Sequence, residues 1–456
     1  MNAKPKNFKP QIYQNAIAKF NQDLIETYYK RGKTYLKLKD YWTGIQDFNT
    51  ILELEPSNTR AYLIRGYAYG ELKNYQQEIT DYTEAIRLDP KLAKAYRSRG
   101  FAYGILQEYE NAIADFSAAI RLDPSYTQAY YNRGFTHNIL AQYQKAIADF
   151  DQVIRLNPDN LEAYYHRGNT YGVIEEYQKA IADYTQVIRL NRDHAKAYSN
   201  RGNANMFLNQ YQDAIVDYSQ AILLNPQDIQ AIYNQGNSYS KLKDYPQAIS
   251  SYSQVIRLDP RLAQAYSDRG NIYGKIKEYQ KAIADYTEAI SYNLDDVDAI
   301  FNRGNAYSYL QKYENALIDY SQVISLDSDY GNAYYNRGVI YSYLKQYKNS
   351  ILDYTQAIVF NPKSPLIYNN RGIAQNGLEE YQSAISDYTQ AIFLDPDYGN
   401  AYYNRGLIYH HLREKQKSIK DLAQAAELYR KQGKIRVAES TLSKIHQLFG
   451  SHKVLR

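Results

Sequence analysis

Seven asparagines recur at multiples of 34 residues: Asn132, Asn200, Asn234, Asn302, Asn336, Asn370 and Asn404. An asparagine amide carries donor and acceptor on one short stem, so a row of them can pair with the backbone of an extended peptide whatever its side chains are. The residue before each is aromatic in five cases, Tyr131, Tyr233, Phe301, Tyr335 and Tyr403, and Tyr165 and Tyr29 stand in the same column. Tyrosine supplies contact area with a polar tip at low entropic cost, a recurrent choice at interfaces. A further column holds Asn169, Asn203, Asn237, Asn271 and Asn305. The seven asparagines, with Tyr131, Tyr165, Tyr233, Phe301, Tyr335 and Tyr403, form the candidate peptide-binding set.

Bond-making chemistry has little support. Cysteine is absent, which removes disulfides, thiolate metal sites and thiol nucleophiles. The histidines, His137, His166, His194, His410, His411, His446 and His452, include no pair at i+3 or i+4. Gly32-Lys33-Thr34 has the look of the end of a phosphate loop, but Thr27 stands where its first glycine belongs and the segment reads as helix. G-x-S-x-G, G-x-G-x-x-G and H-E-x-x-H do not occur. The expectation is a non-enzyme with no cofactor, no metal and no small-molecule substrate.

The frame behind these columns is a repeat. Glycine recurs every 34 residues from Gly32 to Gly406, which divides residues 25–432 into twelve units without insertion or deletion. With glycine as position 8, tyrosine fills position 4 in ten units, position 17 in eleven, position 11 in nine and position 24 in eight. These columns account for 38 of the 53 tyrosines, so most of the unusual composition is scaffold. In the unit from Thr127, Ala129, Tyr130, Gly134 and Leu140 make one stripe, and Ala146, Ile147, Phe150, Val153 and Ile154 a second with the spacing of a helix face. Proline at position 32 in eight units cannot continue the second helix. Each unit reads as helix, short turn, helix and turn. Glycine inside a helix costs about 1 kcal/mol against alanine, so its recurrence needs a packing reason; position 20, alanine in eight units, is the small residue expected to face it. Position 7 is Arg and position 23 Asp in eleven units each, and both are replaced in the same unit, by Gln235 and Ser251. The shared exception predicts an Arg–Asp bridge between the two helices of a unit.

The pattern resembles the tetratricopeptide repeat (TPR): an aromatic at 4 and 24, small residues at 8, 20 and 27, and Pro at 32. Arg192, Leu294, Ser328 and Arg430 depart from the proline, and His137, Asn205 and Gln375 from the tyrosine at position 11. The resemblance implies an all-α, right-handed superhelical solenoid of helix hairpins whose first helices line a concave groove. Its units are 25–58, 59–92, 93–126, 127–160, 161–194, 195–228, 229–262, 263–296, 297–330, 331–364, 365–398 and 399–432. It further implies that function lies at positions 2, 5, 6, 9, 12 and 13. The asparagines at position 6 look like the ladder in the repeat region of O-linked N-acetylglucosamine transferase, though no catalytic part of that enzyme is present. The other reading, that asparagine is simply common at this place in such repeats, stays open. Chaperone-type repeats that grip a carboxylate tail use Lys, Arg and Asn over three successive units. No three successive units here supply that clamp, which argues against acidic C-terminal tails as ligands.

Stacked repeats need a cover at each end. Residues 1–24 are expected as a lead-in or cap, with Ile12, Ala16, Ile17, Phe20 and Leu24 on one stripe, and residues 433–456 as a basic capping helix with Ala438, Leu442, Ile445 and Phe449 on one face. Residues 413–456 carry a net charge of +7 and residues 1–24 of +3, against +5 for the chain, so the body is near −5. Such a balance does not by itself imply nucleic acid, and the groove columns lack the Lys/Arg lining that phosphates need. No secretory leader pattern and no run of 18 apolar residues appears, which makes a cytoplasmic protein without a transmembrane segment the default expectation. The function these readings favour is a protein–protein interaction scaffold holding an extended polypeptide, or several partners, in an Asn/Tyr-rich groove. The alternative is an assembly or adaptor factor that binds through its convex face or basic C-terminal end. Nothing in the pattern sets an oligomeric state.

Overall fold

The computed structural model describes residues 10–450, and among these every regular element is an α-helix. The chain divides into two compact units, Met1–Ala231 and Ile232–Arg456. The first contains α1 (Pro10–Lys37), α2 (Tyr41–Leu54), α3 (Thr59–Glu71), α4 (Tyr75–Leu88), α5 (Ala93–Ile105), α6 (Tyr109–Leu122), α7 (Thr127–Ile139), α8 (Tyr143–Leu156), α9 (Leu161–Val173), α10 (Tyr177–Leu190), α11 (Ala195–Phe207) and α12 (Tyr211–Leu224). Helix α13 (Ile229–Lys241) spans the division. The second unit continues with α14 (Tyr245–Leu258), α15 (Ala263–Lys275), α16 (Tyr279–Tyr292), α17 (Val297–Tyr309), α18 (Tyr313–Leu326), α19 (Gly331–Tyr343), α20 (Tyr347–Phe360), α21 (Pro365–Gly377), α22 (Tyr381–Leu394), α23 (Gly399–His411), α24 (Lys415–Lys431) and α25 (Ile435–Phe449). In each unit, consecutive helices pack as hairpins and each hairpin packs on the next.

The sequence columns explain the boundaries. Position 17 opens every second helix, and a leucine or aromatic at position 30 closes it in eleven units. Where Arg192, Leu294 and Ser328 replace proline, α10, α16 and α18 still stop at the same place, so proline is not what ends them. With Arg430 in that position α24 runs on to Lys431. The turn inside each hairpin places position 15 in the left-handed region in all twelve units, from Lys39 at φ 59° to Arg413 at φ 63°, and none of these residues is glycine.

The core is made of small residues and rings. Ala146, Phe150 and Val153 are fully buried, as are their counterparts Ala214, Tyr218 and Ala221. The glycine at position 8 makes room for the ring at position 24. A Cβ on Gly202 would stand 2.8 Å from the Tyr218 ring, and one on Gly304 would stand 2.9 Å from that of Tyr320. The expected partner at position 20 contributes its backbone carbonyl, as Ala146 does 3.3 Å from the Cβ position of Gly134. The close approach is therefore glycine against aromatic ring, not small side chain against small side chain.

At the N-terminal end, residues 10–24 form the first part of α1, and Ile12, Tyr13, Ile17 and Phe20 are each more than half exposed. At the other end, α25 buries Ala438, Thr441 and Ile445 and lies against α24, with Phe449 edge-on to His410 at 5.2 Å between centroids. Residues 1–9 and 451–456, which carry part of the expected basic termini, lie outside the described residues.

Candidate functional site

The first helices are locked in place by a repeated arginine. In all eleven Arg/Asp units the guanidinium holds the carboxylate through Nε and Nη2, for example Arg303 to Asp319 at 3.0 and 2.8 Å. The same bridge recurs from Arg31–Asp47 to Arg405–Asp421. The third nitrogen reaches back to position 25 of the preceding repeat: Arg99 to Thr83, Arg133 to Ser117, Arg303 to Thr287, Arg337 to Ser321. One arginine thus ties three helices. Position 25 carries Asn, Thr, Ser or Asp in the first eleven units, a polar column on a core-facing helix that would have revealed this contact. In the exceptional unit, Ser251 Oγ donates to Gln235 Oε1 at 3.4 Å, a weak neutral substitute. Burial holds the carboxyls of Asp81, Asp183, Asp319 and Asp353 above the ordinary range despite the guanidinium beside each.

On this frame the asparagines form a hydrogen-bonded lattice. In five successive repeats the buried tyrosine of position 24 donates its hydroxyl to the asparagine of position 9: Tyr184 to Asn169, Tyr218 to Asn203, Tyr252 to Asn237, Tyr286 to Asn271 and Tyr320 to Asn305, at 2.7–2.9 Å. The same oxygen takes a second bond from position 6 of the next repeat. Asn200 donates to Asn169 at 2.9 Å, Asn302 to Asn271 at 3.1 Å and Asn336 to Asn305 at 2.8 Å. Asn370 donates to the Tyr335 hydroxyl at 3.3 Å and Asn404 to Asn369 Oδ1 at 3.0 Å. Asn234 is buried and partnered. Asn132 is buried too; its oxygen accepts from Gln128 at 3.3 Å, while its Nδ2 has no partner. The pairing of position 9 with position 24 was visible beforehand, since no unit with phenylalanine at 24 has asparagine at 9.

The aromatic candidates are half-buried. Tyr131 stands edge-on to Phe150 and His166, with centroids 6.1 and 5.8 Å away. Tyr165 packs by Tyr184 and His194. Tyr233 donates to Asp268, Phe301 lies 5.0 Å from the Tyr330 centroid, Tyr335 lies 6.0 Å from that of Tyr354, and Tyr403 packs on the Tyr429 cluster. Asn132, Asn200, Tyr131 and Tyr165 belong to the first compact unit and the remaining candidates to the second.

Burial pushes the Tyr184, Tyr252, Tyr286 and Tyr320 phenols upward, which keeps them protonated donors. Burial lowers His137 and His166 below the usual imidazole value. Glu78 takes the place that alanine holds in eight units, and burial pushes its carboxyl up to about 7. Among the described residues no group of three or more His, Asp or Glu is placed to hold a metal ion, and no helix is long and apolar enough to cross a membrane.

Three family models match the chain. One described as tetratricopeptide repeat matches residues 127–160, 161–194, 195–228, 263–296 and 331–364. One described as TPR repeat matches 105–138, 236–277, 304–345 and 376–412. A third, also tetratricopeptide repeat, matches 25–58, 59–92 and 399–439. No curated protein matches. Among solved structures, the chain is similar to YrrB, described as a TPR protein with an unusual peptide-binding site, at 22% identity over 40% of this chain and 95% of that one, with a TM-score of 0.38. It is similar to the C-terminal part of a TPR repeat-containing protein from Cytophaga hutchinsonii at 20% identity over 52% and 97%, with a TM-score of 0.48. It is also similar to the APC/C hetero-tetramer Cut9–Hcn1 at 13% identity over 92% and 96%, with a TM-score of 0.39.

Proposed function

The chain belongs to the tetratricopeptide repeat family, and from that premise we propose that it is a non-enzymatic scaffold which holds extended polypeptide along its first helices. That such repeats serve protein interaction is the family's general property; the groove and its ligand are this proposal. The observation that carries it is the asparagine lattice. Bonds within the protein fix the carboxamides of Asn302, Asn336 and Asn404 in orientation, yet each keeps one N–H and its oxygen outside those bonds, while Asn200 commits its amide to Asn169 and, at 3.4 Å, to the Tyr165 hydroxyl. A preorganised donor–acceptor row of this kind suits a peptide backbone, because little ordering remains to be done on binding. In columns 5 and 6 formal charge is confined to Lys30, Arg97 and Asp268, so side-chain charge on the ligand would gain little there.

The test is a displayed library of random 15-residue peptides selected against the purified full chain. Selected peptides should lose at least tenfold in affinity for a Tyr165→Ala/Asn200→Ala variant, for a Tyr335→Ala/Asn370→Ala variant, or for both. Peptides that bind both variants as tightly as the parent would refute the proposal.

One observation favours a second reading, docking through the second helices. Ile318, Leu352, Val359 and Phe393 stand on α18, α20 and α22, three second helices of successive repeats, each at least 64% exposed. Exposed apolar residues recurring in adjacent repeats are a mark of an interaction surface. A Leu352→Glu/Phe393→Glu variant separates the two readings: binding lost there and kept in the Tyr/Asn variants would establish docking on the second helices.

A further inference from the structure

Of the asparagines at position 6, Asn132 differs in one physical respect. Its buried Nδ2 has no hydrogen-bond partner, whereas Asn200, Asn302, Asn336, Asn370 and Asn404 donate within the protein and Asn234 is partnered. The cause is legible in the lattice. The acceptor used by Asn200, Asn302 and Asn336 lies 31 residues earlier, and for Asn132 that place is Phe101. A buried donor without a partner is rare in native proteins and calls for an explanation.

The surroundings supply one. Asn132 lines a cavity of about 280 Å³ between α5 and α7, whose other walls include Phe101, Gly104, Phe135 and Ile139. Phe101, Phe135 and Ile139 are each more than two-fifths exposed, so three large apolar side chains of adjacent repeats border the unpartnered donor of Asn132, with Tyr109, Tyr131 and Thr136 also in the lining. Gly104 leaves the floor open, since a Cβ there would meet no atom within 4 Å. No lining residue carries a formal charge; the nearby cation, Arg97, lies with its guanidinium 5.4 Å from the Phe101 centroid.

We propose that this cavity is the anchoring subsite of the groove, taking one large uncharged side chain, leucine or phenylalanine, of an extended peptide whose backbone carbonyl accepts from Asn132 Nδ2. A mostly apolar pocket with a few placed polar groups fixes both the burial and the direction of such a ligand. A cationic side chain would be desolvated there beside Arg97, with no carboxylate in the lining to pair with. The inference rests on the groove reading given above and assigns its strongest contact to the third and fourth repeats.

Capped pentapeptides of sequence Gly-Ser-X-Ser-Gly, with X as Leu, Phe, Ala or Lys, test it by NMR titration of the full chain, followed at the Asn132 side-chain amide. The Leu and Phe peptides should bind and shift that resonance, with the Ala and Lys peptides at least tenfold weaker. Gly104→Leu, which fills the cavity from its open floor, and Asn132→Leu, which removes the donor and keeps the site apolar, should each weaken the Leu peptide at least tenfold, and a thermal melt confirms that each variant is folded. If Asn132→Leu does not fold, Gly104→Leu decides alone. Equal binding of all four peptides, or Leu binding unaffected by either variant, overturns the subsite. If that happens while library peptides still depend on Tyr165/Asn200 or Tyr335/Asn370, the subsite fails and the groove stands; if neither probe binds, both fail.

Discussion

Asn336 Nδ2 donates to Asn305 Oδ1 at 2.8 Å, joining two successive repeats through their first helices. The same oxygen takes the hydroxyl of Tyr320 at 2.7 Å, and that tyrosine is 1% exposed. Asn305 is therefore the hub, and its loss leaves a buried hydroxyl and a neighbouring amide unmatched. A buried donor without a partner costs about 1–3 kcal/mol, against about 1 kcal/mol net for an ordinary hydrogen bond. Asn305→Ala should lower stability by about 2 kcal/mol, Asn336→Ala by about 1 kcal/mol, and Tyr320→Phe should partly relieve the first in a double-mutant cycle. Denaturant unfolding measures all three; additive effects would show that the lattice is not coupled.

The arginine bridges carry a different expectation. Asp319 is almost fully buried, and Arg303 holds it at 2.8 Å. Desolvation offsets much of the attraction in such a pair, so removing one partner is costly while replacing both by apolar residues is far milder. Asp319→Ala should destabilise by about 2–3 kcal/mol, and Arg303→Met/Asp319→Leu by clearly less. Thermal melts of the two variants decide it, and a double replacement worse than the single one would mean the pair itself is strongly stabilising.

Glu78 should set a pH dependence. Its carboxyl lies under Gly70, with the Oε2 atom 2.7 Å from where a Cβ of that glycine would be, and burial pushes it to about 7, with Arg97 lowering it and Glu71 raising it. Because the folded value exceeds the unfolded one, folding favours the protonated form. Stability falls as pH rises from about 4.5 through 7 and is level above that, with a total loss of at most ~3.4 kcal/mol at 1.36 kcal/mol per unit. Glu78→Ala, the residue of eight other repeats, should raise the melting temperature at pH 8 more than at pH 4.5. An equal gain at both values would refute the assignment.

The repeat, the hairpins and the Arg–Asp bridge were all legible in the sequence, because each is a column repeated at one spacing: one-dimensional periodicity reports contacts whose geometry is the same in every unit. The asparagine reading was half legible. Chemistry alone marks Asn302 and Asn336 as able to bind a backbone, but whether their amides already have partners depends on Asn271 and Asn305, 31 residues away and on a neighbouring helix. The special state of Asn132 needs both facts at once, its own column and the phenylalanine at 101, and no single column shows it. Glycine at position 8 is a packing residue, as its recurrence inside a helix implies, but its partner is the ring at position 24, since ring orientation does not follow from spacing.

Position 15 gives the last expectation, and it concerns every repeat. Ala141 stands at φ 54°, and its N–H closes the hairpin turn on the Asn138 carbonyl at 3.0 Å. An L-residue with a Cβ pays about 1–2 kcal/mol in this region, and glycine does not. The unfolded chain loses some of that advantage, because glycine is the more flexible residue there. Ala141→Gly should therefore still stabilise, by about 0.5–1 kcal/mol, whereas Gly202→Ala should destabilise, because its Cβ would stand 2.8 Å from the fully buried Tyr218 ring. The two opposite exchanges, compared by urea midpoint in otherwise identical chains, separate backbone strain from packing: a loss on Ala141→Gly would mean that unfolded-state entropy outweighs the strain at these turns.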